Sequence, residues 1–229
     1  MRPDSLARAS GAKLPERAGI TTQKNCCAAR GFRTDPRTCR MEFSMKEYYE
    51  MNVAGLKRAL PLCPLNENAM IAGFVIFGDV ELTCACAEKL LEKAPEFDVM
   101  VAPEAKAIPL IHEMARQSGR NEYVLVRKAP KLYMRDVLSI EVRSITTEAV
   151  QHLYMDGKDA ESIRGKRVLV IDDVISTGES IAAVEELVNA AGGNIAAKMA
   201  ILAEGGAADR DDIIFLEKLP LFDSEGEPV

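Results

Sequence analysis

Apolar positions along this chain come in short dense runs that alternate with stretches of helical spacing. The densest run, Val168 to Ile171, reads as a strand buried on both faces, and Ile181 to Ala191 as the helix that follows, stopped by Gly192-Gly193. The alternation continues upstream. Ile71 to Phe77 predicts a strand, Val80 to Lys93 an amphipathic helix, Asp98 to Ala102 a strand, and a further helix follows through about Gly119. Tyr123 to Arg127, Asn194 to Ala203 and Asp212 to Leu216 are predicted strands. Leu138 to Ile145 with Val150 to Met155 predicts an antiparallel pair, and Asp156 to Arg164 a polar turn and short helix. Nearer the start, the apolar positions Phe43, Met51, Val53 and Leu56 predict a helix over Met41 to Leu60, ending before Pro61. Strands alternating with helices mean an α/β chain on a mostly parallel sheet.

Composition narrows the class. With 229 residues, 48% hydrophobic and 28% charged, the chain suits one domain, or one domain plus an appendage, with length enough for a core. A net charge of −6 argues against a general nucleic-acid partner. No run approaches the roughly 18 apolar residues of a membrane span, and no apolar stretch marks a secretory signal. None of Cys26, Cys27, Cys39, Cys63, Cys84 and Cys86 forms a paired C-x-x-C site, and His112 and His152 lie far from them, so the simplest reading is a reduced cytoplasmic protein without a metal cluster of its own.

Residues 1 to 40 stand apart. They carry nine Lys plus Arg, seven of them Arg, against three acids, and leave 20 basic against 32 acidic residues in the rest of the chain. They show no helical or strand period and are expected to be disordered. An Arg-rich organelle leader is one reading. The other, which composition favours, is an upstream stretch, with Met41 or Met45 as the natural beginning. The folded domain is then 41 to 229, with its core at about 68 to 204.

The candidate chemistry sits where predicted strands end. After the run Val168 to Ile171 come Asp172 and Asp173, then Ser176, Thr177, Gly178, Glu179 and Ser180, and then a helix. Strand, tight loop and helix N-terminus make an anion site, because unpaired backbone N–H groups and the positive end of the helix dipole point into the loop. Carboxylates at a strand's carboxyl end suit ribose hydroxyls, so the stretch asks for a phosphorylated sugar. A second strand-loop-helix junction carries Lys106. A third strand end carries a tight cationic group, Arg127, Lys128 and Lys131, on an otherwise acidic chain.

These residues carry a resemblance. The string VLVIDDVISTGES resembles the phosphoribosyl-pyrophosphate (PRPP) motif of type I phosphoribosyltransferases. Pro103-Glu104-Ala105-Lys106 is similar to the Glu-Ala-Arg-Gly of adenine phosphoribosyltransferases, with lysine in place of arginine and Ala107 in place of glycine. Arg127-Lys128-x-x-Lys131 resembles the segment that precedes the mobile catalytic loop of purine phosphoribosyltransferases, a loop that would here be Leu132 to Thr147. Within it Ser139-Ile140-Glu141-Val142 aligns with the Leu-Glu-Tyr of the adenine enzymes, while Leu153-Tyr154-Met155-Asp156-Gly157 is similar to archaeal hypoxanthine enzymes.

The resemblance implies the type I phosphoribosyltransferase fold: a central, mostly parallel twisted sheet flanked by helices, a flexible antiparallel flap, and a small hood from the N- and C-terminal segments, to which Leu219-Pro220-Leu221-Phe222 would belong. It implies transfer of the ribosyl 5-phosphate of PRPP to a purine, adenine favoured, in purine salvage. Ser176, Thr177, Gly178, Glu179 and Ser180 would hold the 5-phosphate. Lys106, Arg127, Lys128 and Lys131 would hold the pyrophosphate. Asp172, Asp173 and Glu141 would be catalytic, with Mg2+ accompanying PRPP and reached by Asp172 and Asp173 through water. Glu179 departs from the commoner glycine and is expected to turn its side chain outward. A homodimer is implied, with no nucleic-acid or membrane partner. The alternatives are a hypoxanthine, xanthine or guanine phosphoribosyltransferase, and a non-catalytic PRPP-sensing module. A PRPP synthetase would need a longer, duplicated chain, and no internal repeat is seen.

Overall fold

The computed structural model describes residues 46–143 and 150–229, and it opens with a β-hairpin where the sequence pattern predicts a helix. Strands β1 (Tyr48–Val53) and β2 (Leu56–Pro64) pair antiparallel, with Val53 opposite Leu56. The turn is Ala54-Gly55, both at positive φ (51° and 84°), the combination that matches the twist of paired strands. Met51 and Val53 are buried two residues apart, which is a strand period; the helical reading borrowed Leu56 from across the turn. Strand β3 (Ala69–Ala72) extends this sheet and is shorter than the predicted Ile71 to Phe77, since Val75 and Phe77 are exposed beyond it.

The following elements fall close to their predicted places. Helix α1 (Val80–Lys93) is capped by Asp79, whose side chain accepts from the Leu82 N–H. Asp79 also pairs with Arg58 of β2 at 2.6 Å, tying the hairpin sheet to the helix. Then come β4 (Val99–Pro103), α2 (Ile108–Gln117), β5 (Val124–Val126), β6 (Leu138–Arg143), β7 (Val150–Met155) and α3 (Gly157–Ile163), the last capped by Asp156. Strand β8 (Arg167–Ile175) leads into α4 (Glu179–Ala190) and β9 (Asn194–Glu204). A 3-10 turn (Gly205–Asp209), β10 (Ile214–Leu219) and the two-residue β11 (Phe222–Asp223) complete the chain.

Three sheets result among the described residues. The central one is wholly parallel, in the order β10-β9-β8-β4-β5. Helices α1 and α2 cover one face through Leu82, Leu90, Leu110 and Met114; α3 and α4 cover the other through Ile163, Val184, Leu187 and Val188. The terminal segments meet in a four-stranded antiparallel sheet, β1-β2-β3-β11. There Phe222 is fully buried with its ring edge-on to Tyr49, the centroids 4.9 Å apart. The two-stranded β6–β7 ribbon joins the end of β5 through the Arg127–Tyr154 bridge. Residues 1 to 40 and the flap positions 144 to 147 lie outside the described residues.

Candidate active site

The order of the parallel sheet locates a crevice. From β4 the chain moves outward to β5, and from β8 it moves the opposite way to β9 and β10, so β4 and β8 are neighbours at a topological switch point. Open α/β sheets bind ligands outside the carboxyl ends of such strands. Glu104 to Ala107 follows β4 there, and Ser176 to Gly178 follows β8.

The helices that start at this crevice are uncapped. Where Asp79 and Asp156 close α1 and α3, neither Ala107 before α2 nor Gly178 before α4 supplies a side-chain cap. Beyond Glu179, the first-turn N–H groups of α4 are thus left for an external acceptor. In α2, Pro109 in the first turn has no N–H to offer, so α4 is the richer donor. Gly178 holds φ at 81°, a left-handed conformation that favours glycine. Ala107, by contrast, sits at φ −70°, so the glycine expected there is not needed. Ser176, Thr177 and Ser180 are exposed, Glu179 is half-buried, and the Glu179 N–H reaches the Thr177 hydroxyl at 3.4 Å. Asp172, Ser176, Thr177, Gly178 and Ser180 line a small polar hollow of ≈ 40 Å³. A far larger hollow, ≈ 790 Å³ beside Asp98 and Asp159, lies at the opposite ends of β4 and β5, away from this chemistry.

The two acids lie inside β8, since the strand runs on to Ile175 and the true loop is only Ser176 to Gly178. Both are buried, Asp172 to 8% exposure and Asp173 to 3%. The Asp173 N–H donates to Asp172 Oδ1 at 2.9 Å. Burial, and then the neighbouring Asp173 charge, push the Asp172 carboxyl well above the ordinary carboxylate range. Lys106 Nζ stands 3.1 Å from Asp173 Oδ2, an ion pair across the switch point. It lacks hydrogen-bond alignment, and Oδ2 has no hydrogen-bond partner among the described residues.

The remaining cations divide. Arg127 Nη1 pairs with Glu104 Oε2 at 3.1 Å, and the Lys128 N–H donates to Glu104 Oε1 at 2.8 Å. Burial works against the Glu104 anion, but the Lys128 N–H and Arg127 outweigh it and hold the carboxyl below its ordinary value. Glu104 therefore clamps the loop after β4 to the segment after β5, and Arg127 is a partnered charge. Lys128 and Lys131 project as exposed cations beside this clamp. Glu141 is exposed on β6 opposite His152, in the ribbon rather than in the central sheet.

Sequence reasoning missed two residues. Glu204, at the end of β9, has its carboxyl raised by burial, with Lys106 opposing the shift. Arg210, just past the 3-10 turn, lays its guanidinium over Gly178. Neither stands in a motif, and both reach the site only because β9 is paired beside β8. The clamp by Glu104 was visible only as part of Pro-Glu-Ala-Lys.

This arrangement has counterparts in known proteins. A family model for the phosphoribosyl transferase domain matches residues 84–220. The adenine phosphoribosyltransferase of Thermotoga neapolitana is 38% identical over 109 residues, which are 48% of this chain and 60% of that protein. The chain thus spans somewhat less than two thirds of that relative's length. Among solved structures, the adenine phosphoribosyltransferase of Thermoanaerobacter pseudethanolicus superposes with a TM-score of 0.54 at 24% identity, covering 76% of this chain and 98% of that one. That of Trypanosoma brucei, in complex with AMP, pyrophosphate and ribose-5-phosphate, gives a TM-score of 0.51 at 19% identity and 78% coverage of each chain. These likenesses show the fold, that of the type I phosphoribosyltransferases. An uncapped loop after an Asp-Asp strand, a parallel sheet with its crevice beside it and a family match over more than half its length together make this chain a member of the phosphoribosyltransferase family.

Proposed function

We propose that the protein is a purine phosphoribosyltransferase, with adenine the favoured base, that moves the 5-phosphoribosyl group of PRPP to a purine nitrogen and releases pyrophosphate in purine salvage. The observation that carries this reading is the coincidence, at one switch point, of the uncapped α4 N-terminus, the buried Asp172–Asp173 pair and Lys106 reaching across from the next strand. The names of the relatives support it.

Backbone N–H groups of Ser176 to Ser180 bind the 5-phosphate and fix the sugar, so that attack by the base is effectively unimolecular. Asp172 and Asp173 face the ribose hydroxyls, and their charge favours an oxocarbenium-like transition state. The residues fit an accompanying Mg2+: the donors are carboxylate oxygens suited to a hard cation, and Asp173 Oδ2 is buried without a hydrogen bond. Asp172 and Asp173 would hold the ion through water, and it would neutralise charge on the departing pyrophosphate. Among the described residues no group of three or more His, Cys, Asp or Glu forms a metal cluster.

Lys106 is the pyrophosphate ligand that must first leave Asp173, and Lys128 and Lys131 are open to receive the same anion. Arg127 reaches it only in competition with Glu104. The flap from Leu132, with Leu132 and Tyr133 exposed, closes over the site and brings Glu141 to the base, excluding water that would hydrolyse PRPP. The four-stranded terminal sheet serves as the hood, over a domain of residues 41 to 229 with its core at about 68 to 204 and with residues 1 to 40 as an extension. The protein works as a cytoplasmic homodimer. No described helix is long and apolar enough to cross a membrane.

The test is incubation with PRPP, Mg2+ and each purine base in turn. Nucleoside monophosphate from adenine supports the reading; turnover with hypoxanthine, xanthine or guanine alone reassigns the base. Tight PRPP binding without turnover on any base would make the protein a PRPP sensor and overturn the enzymatic reading.

A further inference from the structure

We infer that Arg210 is a ligand of the 5-phosphate, a specificity residue that reaches the anion loop from a different connection of the sheet. The inference rests on the reading proposed above and adds to it a side chain that the motif does not contain. Arg210 follows the 3-10 turn Gly205–Asp209, so it arrives from β9 and not from the loop after β8. Its Nε and Nη2 donate to Asp212 at 2.8 and 2.7 Å. Asp212 is held in turn by Lys198 Nζ at 2.6 Å, and Lys198 pairs with Glu185 of α4 at 2.9 Å. Two nitrogens of the fork are thereby anchored through a charge-balanced chain of four residues. The third, Nη1, lies over Gly178, in the space that a Cβ there would occupy.

The charge around the loop says why a cation is placed there. Backbone N–H groups carry no net charge, and a phosphate dianion entering between Ser176 and Ser180 comes close in sequence to Glu179 and to the two aspartates of β8. A guanidinium beside the loop offsets that repulsion, and its fork suits phosphate oxygens. Gly178 is then required twice, by its left-handed φ and by the approach of Arg210.

The test is calorimetric binding of ribose 5-phosphate, AMP and pyrophosphate to the full chain, to Arg210→Gln and to Arg210→Lys, with thermal melts of each. Arg210→Gln is expected to weaken ribose 5-phosphate and AMP by a common factor of about ten or more while leaving pyrophosphate within twofold, and Arg210→Lys to recover part of the loss. A purely structural role would weaken all three ligands together, and that outcome overturns the inference. So does unchanged affinity of Arg210→Gln for ribose 5-phosphate. If Arg210→Gln does not fold, Arg210→Lys decides alone: a selective loss of a few fold supports a phosphate ligand, and none or a uniform loss rejects it. Failure of the unsubstituted protein to bind ribose 5-phosphate, AMP and PRPP would sink the functional reading itself, a result distinct from the others.

Discussion

Asp172, proposed above to face the ribose, shows burial working against charge in a single residue. Its carboxyl is raised, so the folded chain holds the proton more tightly than the unfolded chain does. That contribution to folding is complete below the ordinary carboxylate pKa and is lost as pH rises through the raised folded value. At pH 8 the buried anion therefore opposes folding. Asp172→Asn keeps an oxygen for the Asp173 N–H and removes the charge. It is expected to raise Tm at pH 8 by about 2 °C or more, with a smaller gain at pH 5, and to abolish transfer; melts at the two pH values check the first claim. Glu179→Gly is expected to leave PRPP affinity intact or improved in a direct titration. A fall of roughly tenfold, about 1.4 kcal/mol, would contradict it. The strand end, loop and helix start over Asp172 to Ser180 were legible in the sequence because nine consecutive residues make that junction by local geometry alone. Glu104, Glu204 and Arg210 were not, since each acquires its neighbour only when separate strands pair.

At the scale of elements, the same division holds. Helices α1 and α4 and strands β8 and β9 were legible because one strong period runs through each of them. The hairpin β1–β2 was not, because a two-residue turn lets apolar positions on two strands imitate a helical spacing. The turn also carries a correctable flaw. Ala54 holds φ at 51° without the local hydrogen bonding that eases asparagine into this region, and Asn-Gly is the preferred pair for such a turn. Ala54→Asn is expected to stabilise the protein by about 0.5 kcal/mol in denaturant unfolding with activity unchanged. A loss of stability would mean that the hairpin is not closed by this turn.

Across the whole molecule, the two ends of the described chain meet. Lys46 Nζ pairs with Glu227 at 2.7 Å beside the sheet that joins β1, β2 and β3 to β11. A chain beginning at Met45 retains that contact. It is expected to match the full chain in specific activity and Tm; a large loss of activity would make residues 1 to 44 part of the site. The parallel sheet itself has two halves that diverge from the β4–β8 boundary, and the Lys106–Asp173 pair is a charge contact sewn across that boundary. Lys106 neutralises the Asp173 carboxylate, which on the function proposed above would give a free divalent ion little reason to settle there. On that reading, only a ligand that draws Lys106 away with its own negative charge would release Asp173 for the metal it carries. Metal and substrate would then be admitted as one complex. In Lys106→Ala the guard is gone, and Mg2+ alone should bind several-fold more tightly by calorimetry while PRPP binds more weakly.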